Sequence, residues 1–202
     1  MAALNALRAI RIAAWAAVVV LGAAILWLTV FNRSDEGGGI VAASIGGPFT
    51  LVDQTGATVT EAALRGHPSA MFFGYTFCPD VCPTTLADMT LWLDDLGADA
   101  DKLKVYFVTV DPERDTQEHM AEYLQAFDPR IVGLTGDRAA VDAMLAAFRV
   151  YSRKTGEDGD YYLMDHTASV YLLDENAQFV GTVDYQEDTE TVLAKLKRLV
   201  GA

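Results

Sequence analysis

Basic residues are scarce in this chain: 15 Lys and Arg stand against 28 Asp and Glu, a net charge of −13 over 202 residues. Arg8 and Arg11 lie ahead of a long apolar run, and no acidic residue precedes it. Beyond that run 13 basic residues face all 28 acidic ones, a net charge of −15. Such a surface makes nucleic acid and anionic lipid poor partners and attracts cations or basic protein patches. Cysteine is scarcer still, with Cys78 and Cys82 the only two. Two thiolates are too few for a structural zinc site, which is nearly always closed by four protein ligands. As a structural disulfide they would close a very short loop, and a crosslink stabilises less as its loop shortens. Redox or metal chemistry is what remains for the pair. Internal repeats and low-complexity tracts are absent.

One long uncharged stretch is present. Residues 12–31 read IAAWAAVVVLGAAILWLTVF, twenty residues without a charge. About 20 helical residues span the hydrocarbon core of a bilayer. Arg8 and Arg11 place the N-terminus in the cytoplasm by the positive-inside rule and send the rest across the membrane. A cleaved signal peptide would have a shorter apolar core, about 7–15 residues, and a small-residue cleavage site. This run instead ends on Trp27, Leu28 and Phe31. The expected organisation is a cytoplasmic N-terminus and transmembrane anchor over 1–32, a flexible Gly- and Ser-containing linker over 33–47, and one domain over 48–202. The anchor would lie in an inner membrane, single-pass, with the domain in the periplasm, or in the mitochondrial intermembrane space of a eukaryote.

Within the domain, strand and helix patterns alternate. Residues 69–75, 103–110, 168–173 and 179–183 read as strands, the last two joined by a hairpin turn at 174–177. A further hairpin is expected around Phe49–Val52 and Thr58–Thr60. Helices are expected over 83–96, where Leu86, Met89, Leu93 and Leu96 recur at spacings of three and four. Others are expected over 116–127, 138–148 and 189–200, with Asp115, Asp137 and Asp188 as caps. Strand–helix–strand units imply a parallel core, and the closing hairpin adds antiparallel pairing at one side. The fold class is α/β, a mixed sheet flanked by helices.

The cysteines fall between the strand ending at Tyr75 and the helix entered by Pro83, at the carboxyl end of a strand, where open α/β sheets place their sites. A strand, a dithiol and a helix is the arrangement of thioredoxin-like oxidoreductases, whose motif is C-x-x-C. Here it is C-x-x-x-C. Helical residues four apart have Cβ atoms about 5–6 Å apart, whereas a disulfide wants roughly 3.5–4.5 Å. Two thiolates on one metal at about 2.3 Å each would sit roughly 4 Å apart, which suits this loop. The helix N-terminus should favour thiolates, while the charge of Asp80 opposes them. Of the histidines, His119 sits among Gln117, Glu118 and Glu122 and reads as a solvated surface residue. His67, in a Gly-His-Pro turn, lies at the opposite end of a strand from the cysteines. His166 stands immediately before the strand at 168–173, where thioredoxin-like proteins carry a cis-proline facing the dithiol, and this chain has no proline there.

The segments YTFCPDVCPTTL, VTVDPERDT and DYYLMDHTASVYLLDENAQFVG closely resemble the Sco/SenC family of copper proteins, over essentially the whole domain. The resemblance implies a thioredoxin fold and copper, as Cu(I) or Cu(II), held by Cys78, Cys82 and His166. It also implies a role in building the dinuclear copper A centre of cytochrome c oxidase. The implied partners are the copper-bearing oxidase subunit and a copper donor or thiol reductant protein. Soft thiolates select Cu(I), and an imidazole completes a three-coordinate site that an ion can enter and leave.

A membrane-anchored thiol–disulfide oxidoreductase acting on the oxidase or another exported target is the alternative, with Cys78 and Cys82 as its redox pair. A peroxide-reducing enzyme fits less well, because the loop is acidic and proline-rich. Among the other candidates, Met71, Met89 and Met144 occupy apolar periodic positions and read as core. Met164 is close enough in sequence to His166 to approach a metal, and otherwise fills a gap. Asp165 is either a partner that orients His166 or a turn carboxylate. Asp111 to Asp115 read as a turn plus a helix cap. Tyr75 and Phe77 read as aromatic core filling, or as groups that shield the site or present it.

Overall fold

The structure is a computed structural model that describes residues 15–22, 45–156 and 162–201. The chain divides into two units, Met1–Ala43 and Ser44–Ala202. In the first, residues 15–22 are helical and exposed. The rest of the expected anchor, and most of the expected linker, lie outside the described residues. Among the described residues no helix is long and apolar enough to cross a membrane.

The second unit is a thioredoxin-like α/β domain. Its strands are β1 (Thr50–Asp53), β2 (Thr58–Thr60), β3 (Ser69–Gly74), β4 (Lys104–Thr109), β5 (Ile131–Thr135), β6 (Ser152–Thr155), β7 (Leu163–His166), β8 (Val170–Leu173) and β9 (Phe179–Val183). Its α-helices are α1 (Val81–Leu96), α2 (Gln117–Leu124), α3 (Arg138–Ala147) and α4 (Thr189–Leu199). Seven strands form one sheet in the order β2-β1-β5-β4-β3-β8-β9, and β6 and β7 form a separate ribbon. β3 runs parallel to β4 and antiparallel to β8, and β4 runs parallel to β5. All of β3, SAMFFG, is buried, as expected of a strand covered on both faces.

α1 buries Cys82, Thr85, Leu86, Met89, Trp92, Leu93 and Leu96, so its apolar stripe and one cysteine share a face. Asp137 caps α3 by accepting from the Ala140 amide at 2.7 Å, and Asp188 caps α4 through Thr191, as expected. α2 is capped differently. Thr116, not Asp115, accepts from the His119 amide, and Asp115 is wholly buried.

Two features depart from the expected element order. β5, IVGLT, carries Gly133 at its centre, and a mid-strand glycine weakens a strand pattern. The glycine is there for packing: a Cβ on Gly133 would lie 2.5 Å from Met120 Cγ and 2.6 Å from Leu124 Cδ1, so α2 rests directly on this strand. The β6–β7 ribbon was likewise not expected. β6 reads SRKT and β7 LMDH, without the apolar alternation of a half-buried strand. His166 therefore ends a strand rather than sitting in a loop, paired across from Ser152.

Candidate metal centre

Three elements deliver the site. The bend after β3 carries Cys78, the first turn of α1 carries Cys82, and the end of β7 carries His166. Their ligand atoms all lie within 4.8 Å of one another, and Cys82 Sγ is 3.5 Å from His166 Nε2. His67 and His119 are not part of this cluster.

Burial makes the two cysteines unequal. Cys82 is fully buried and Cys78 half-buried, both as free thiols. Cys82 Sγ rests on Gly74, where an added Cβ would lie 2.8 Å from the sulfur and 2.8 Å from the Phe107 ring. The Cys82 amide, one of the unpaired donors of a helix N-terminus, points at Cys78 Sγ at 3.4 Å. The Cys78 thiol is pulled down to about 3, first by a hydrogen bond from the Cys82 side chain, against the cost of burial, and also by the amides of Asp80 and Cys82. Cys82 is pushed up by the same shared hydrogen bond and by burial. The pair thus holds one proton between two sulfurs, which is the place a cation would take. Asp80 favours the Cys78 thiolate through its amide, whatever its exposed carboxylate does.

His166 is oriented from behind. Its Nδ1 is 2.9 Å from the Thr167 carbonyl, which can only accept, so Nδ1 carries the proton and Nε2 turns its lone pair to the sulfurs. Asp165 does not supply this contact. It is exposed and faces Arg153 at 3.7 Å. The imidazole is bounded edge-on by Tyr75, with centroids 5.8 Å apart, and by Phe72 at 6.2 Å.

Below the cysteine loop, buried Asp115 accepts from Thr76 Oγ1 at 2.6 Å, from the Thr76 amide, and from Thr109 Oγ1 at 2.6 Å. It joins the loop to the end of β4, and burial raises its pKa. Sequence reading gave Asp115 a capping role because its partners are 39 and 6 residues away, beyond any local pattern. Asp111 is also buried rather than a surface turn residue. It accepts from Arg114 Nε at 2.6 Å and from the Tyr162 hydroxyl at 2.8 Å.

Tyr75 is buried, but Phe77 is 48% exposed, so it does not fill the core. Its ring stacks on His119 at 5.0 Å, which leaves that histidine half-buried instead of solvated. Met71, Met89 and Met144 are core residues as expected, and Met164 is half-buried against the core.

Two thiolates and one imidazole, with no fourth clustered ligand among the described residues, suit a thiophilic ion that tolerates low coordination. The SCO1/SenC family profile matches residues 38–201. Protein SenC of Rhodobacter capsulatus is 34% identical over 183 residues, covering 88% of this chain and 83% of that one. The mitochondrial SCO1 homolog 1 of Arabidopsis thaliana is 36% identical over 159 residues, which span 78% of this chain but only 47% of its own length. The structure of Bradyrhizobium japonicum ScoI with copper bound superposes with a TM-score of 0.73 at 46% identity, covering 77% of this chain and 99% of that one.

Proposed function

The chain belongs to the SCO1/SenC family, and on that premise we propose that it is a copper chaperone. It holds one copper ion through Cys78, Cys82 and His166 and delivers it to the dinuclear copper A centre of cytochrome c oxidase. The observation that carries this reading is the convergence of two sulfurs and one imidazole nitrogen within 4.8 Å. In this reading residues 12–31 anchor residues 48–202 to the inner membrane by way of a linker over 33–47. The domain works in the periplasm or, in a eukaryote, in the intermembrane space, and its partners are the copper-bearing oxidase subunit and a copper donor or thiol reductant.

The chain's own residues account for the loading step. The proton held between Cys78 and Cys82 leaves, and the cation takes its place. His166 presents Nε2, because Nδ1 is occupied by Thr167. Asp115 holds the cysteine loop against β4 throughout.

The depressed pKa of Cys78 also favours a thiol–disulfide exchange role. One experiment separates the two. His166→Ala leaves two thiolates, which still hold Cu(I) linearly, but Cu(II) prefers nitrogen and higher coordination. The variant is expected to lose the thiolate-to-Cu(II) charge-transfer absorption and retain part of its Cu(I) affinity, with His67→Ala and His119→Ala unchanged. A Cu(II) spectrum that survives in His166→Ala would reject the ligand assignment and favour the oxidoreductase.

A further inference from the structure

We propose that Arg114 is a positioning residue for the copper site, a clasp that ties the strand bearing His166 to the loop bearing Cys78, and that it thereby sets the preference for Cu(II) over Cu(I). The proposal rests on the copper reading above. Arg114 touches none of the three ligands, so it acts through its neighbours.

The clasp has two arms. Toward the histidine, Arg114 Nη1 donates to the Tyr162 carbonyl at 3.0 Å, and its guanidinium lies 3.6 Å from the centre of the Tyr162 ring. Tyr162 immediately precedes β7, whose last residue is His166. Lys154 Nζ also lies over the Tyr162 ring, at 3.7 Å, so the ring carries two cations. Toward the cysteines, the same guanidinium lies 4.7 Å from the Phe77 ring and 5.7 Å from the Tyr75 ring, the aromatic residues that lead into Cys78.

Asp111 locks the two arms together. One carboxylate oxygen accepts from Arg114 Nε at 2.6 Å and the other from the Tyr162 hydroxyl at 2.8 Å, both from the loop after β4. Arg138 makes a longer approach to Asp111, at 3.6 Å. A guanidinium is suited to this role because its planar fork bonds in two directions while its face lies on aromatic rings. The ribbon β6–β7 is outside the main sheet. Its hold on the domain beside the site therefore depends on contacts of this kind rather than on sheet pairing.

The consequence is selective. Two thiolates alone satisfy Cu(I), and both lie on the β3–α1 segment. Cu(II) needs the nitrogen as well, and that nitrogen comes from β7. Loosening the clasp should cost Cu(II) and largely spare Cu(I).

The test uses Asp111→Asn/Arg114→Met, which removes both charges and leaves no unpaired buried carboxylate, and Tyr162→Phe, which removes the hydroxyl's contacts to Asp111 and Glu113 and keeps the ring. Lys102→Met, which breaks a surface pair with Asp99, is the control, and Arg130→Met, which breaks a half-exposed pair with buried Asp128 far from the site, is a second one. Thermal melts of the apo domains establish that each is folded, and the readouts are Cu(II) charge-transfer absorption and Cu(I) and Cu(II) affinities by competition. The double variant should lose at least about tenfold in Cu(II) affinity, the scale found when groups supporting metal ligands are removed, and less than about threefold for Cu(I). Tyr162→Phe should fall in between, and Lys102→Met and Arg130→Met should match the unmodified domain. A Cu(II) band undiminished in the folded double variant, or equal losses for Cu(I) and Cu(II), would overturn the clasp alone. Absence of a Cu(II) band from the unmodified domain would overturn the copper reading and the clasp with it.

Discussion

Gly74 shows how finely the site is fitted at the scale of single residues. A methyl group there would meet both Cys82 Sγ and the Phe107 ring at 2.8 Å. Overpacking a close-packed interior costs about 1–3 kcal/mol, so Gly74→Ala should lose that much stability in denaturant melts and weaken copper binding in a competition assay. An unshifted melt would show that the sulfur does not rest on this residue. The two thiols should also react unequally. Iodoacetamide should modify half-buried Cys78 well before buried Cys82. Because the Cys78 pKa is about 3 in the folded domain, its alkylation rate should stay flat between about pH 5 and 8, whereas an ordinary thiol near 8.5 gains about tenfold per pH unit. The same shift bears on stability, and its sign follows from linkage: the folded-state pKa is depressed, so the contribution is complete above the unfolded pKa and lost as pH falls toward the folded one. The two cysteines of the cluster were legible because cysteine is rare and its spacing distinctive. Asp115 and the Thr167 carbonyl were not, since one works through distant hydroxyls and the other through its main chain.

Among the elements, helices were read most accurately. Their caps and apolar spacing are local, and α3 and α4 start where Asp137 and Asp188 place them. Strands with local apolar runs, such as β3 and β4, were equally plain. β5 was hidden by Gly133, and the β6–β7 ribbon by side chains that are neither apolar nor alternating. Gly133 makes a prediction at this scale. Gly133→Ala would push Met120 and Leu124 off the sheet, and α2 with them, so stability should fall by about 1–3 kcal/mol, read as a lowered midpoint of unfolding. An unchanged midpoint would mean that α2 does not rest on β5 as described.

For the whole molecule, the sequence pattern of residues 12–31 and the flanking Arg8 and Arg11 carry the proposed topology. Alkaline phosphatase fused after Asp53 should be active in a bacterial host. A silent fusion with an active cytoplasmic reporter at the same position would reverse the orientation. The charge of the domain was legible from composition alone, but its distribution about the site was not, because Arg114 and Asp111 pair in the interior rather than facing solvent. On the proposed copper reading, the unequal burial of the cluster bears on how cargo would leave. Cys82 is fully buried against Gly74, whereas Cys78 and His166 are half-buried, so an acceptor's ligand would reach the ion from the side of those two. Release would then be an ordered handover with Cys82 as the pivot. The last bond to the ion would be the one no competitor reaches directly, so the ion would pass from hand to hand without becoming free in solution.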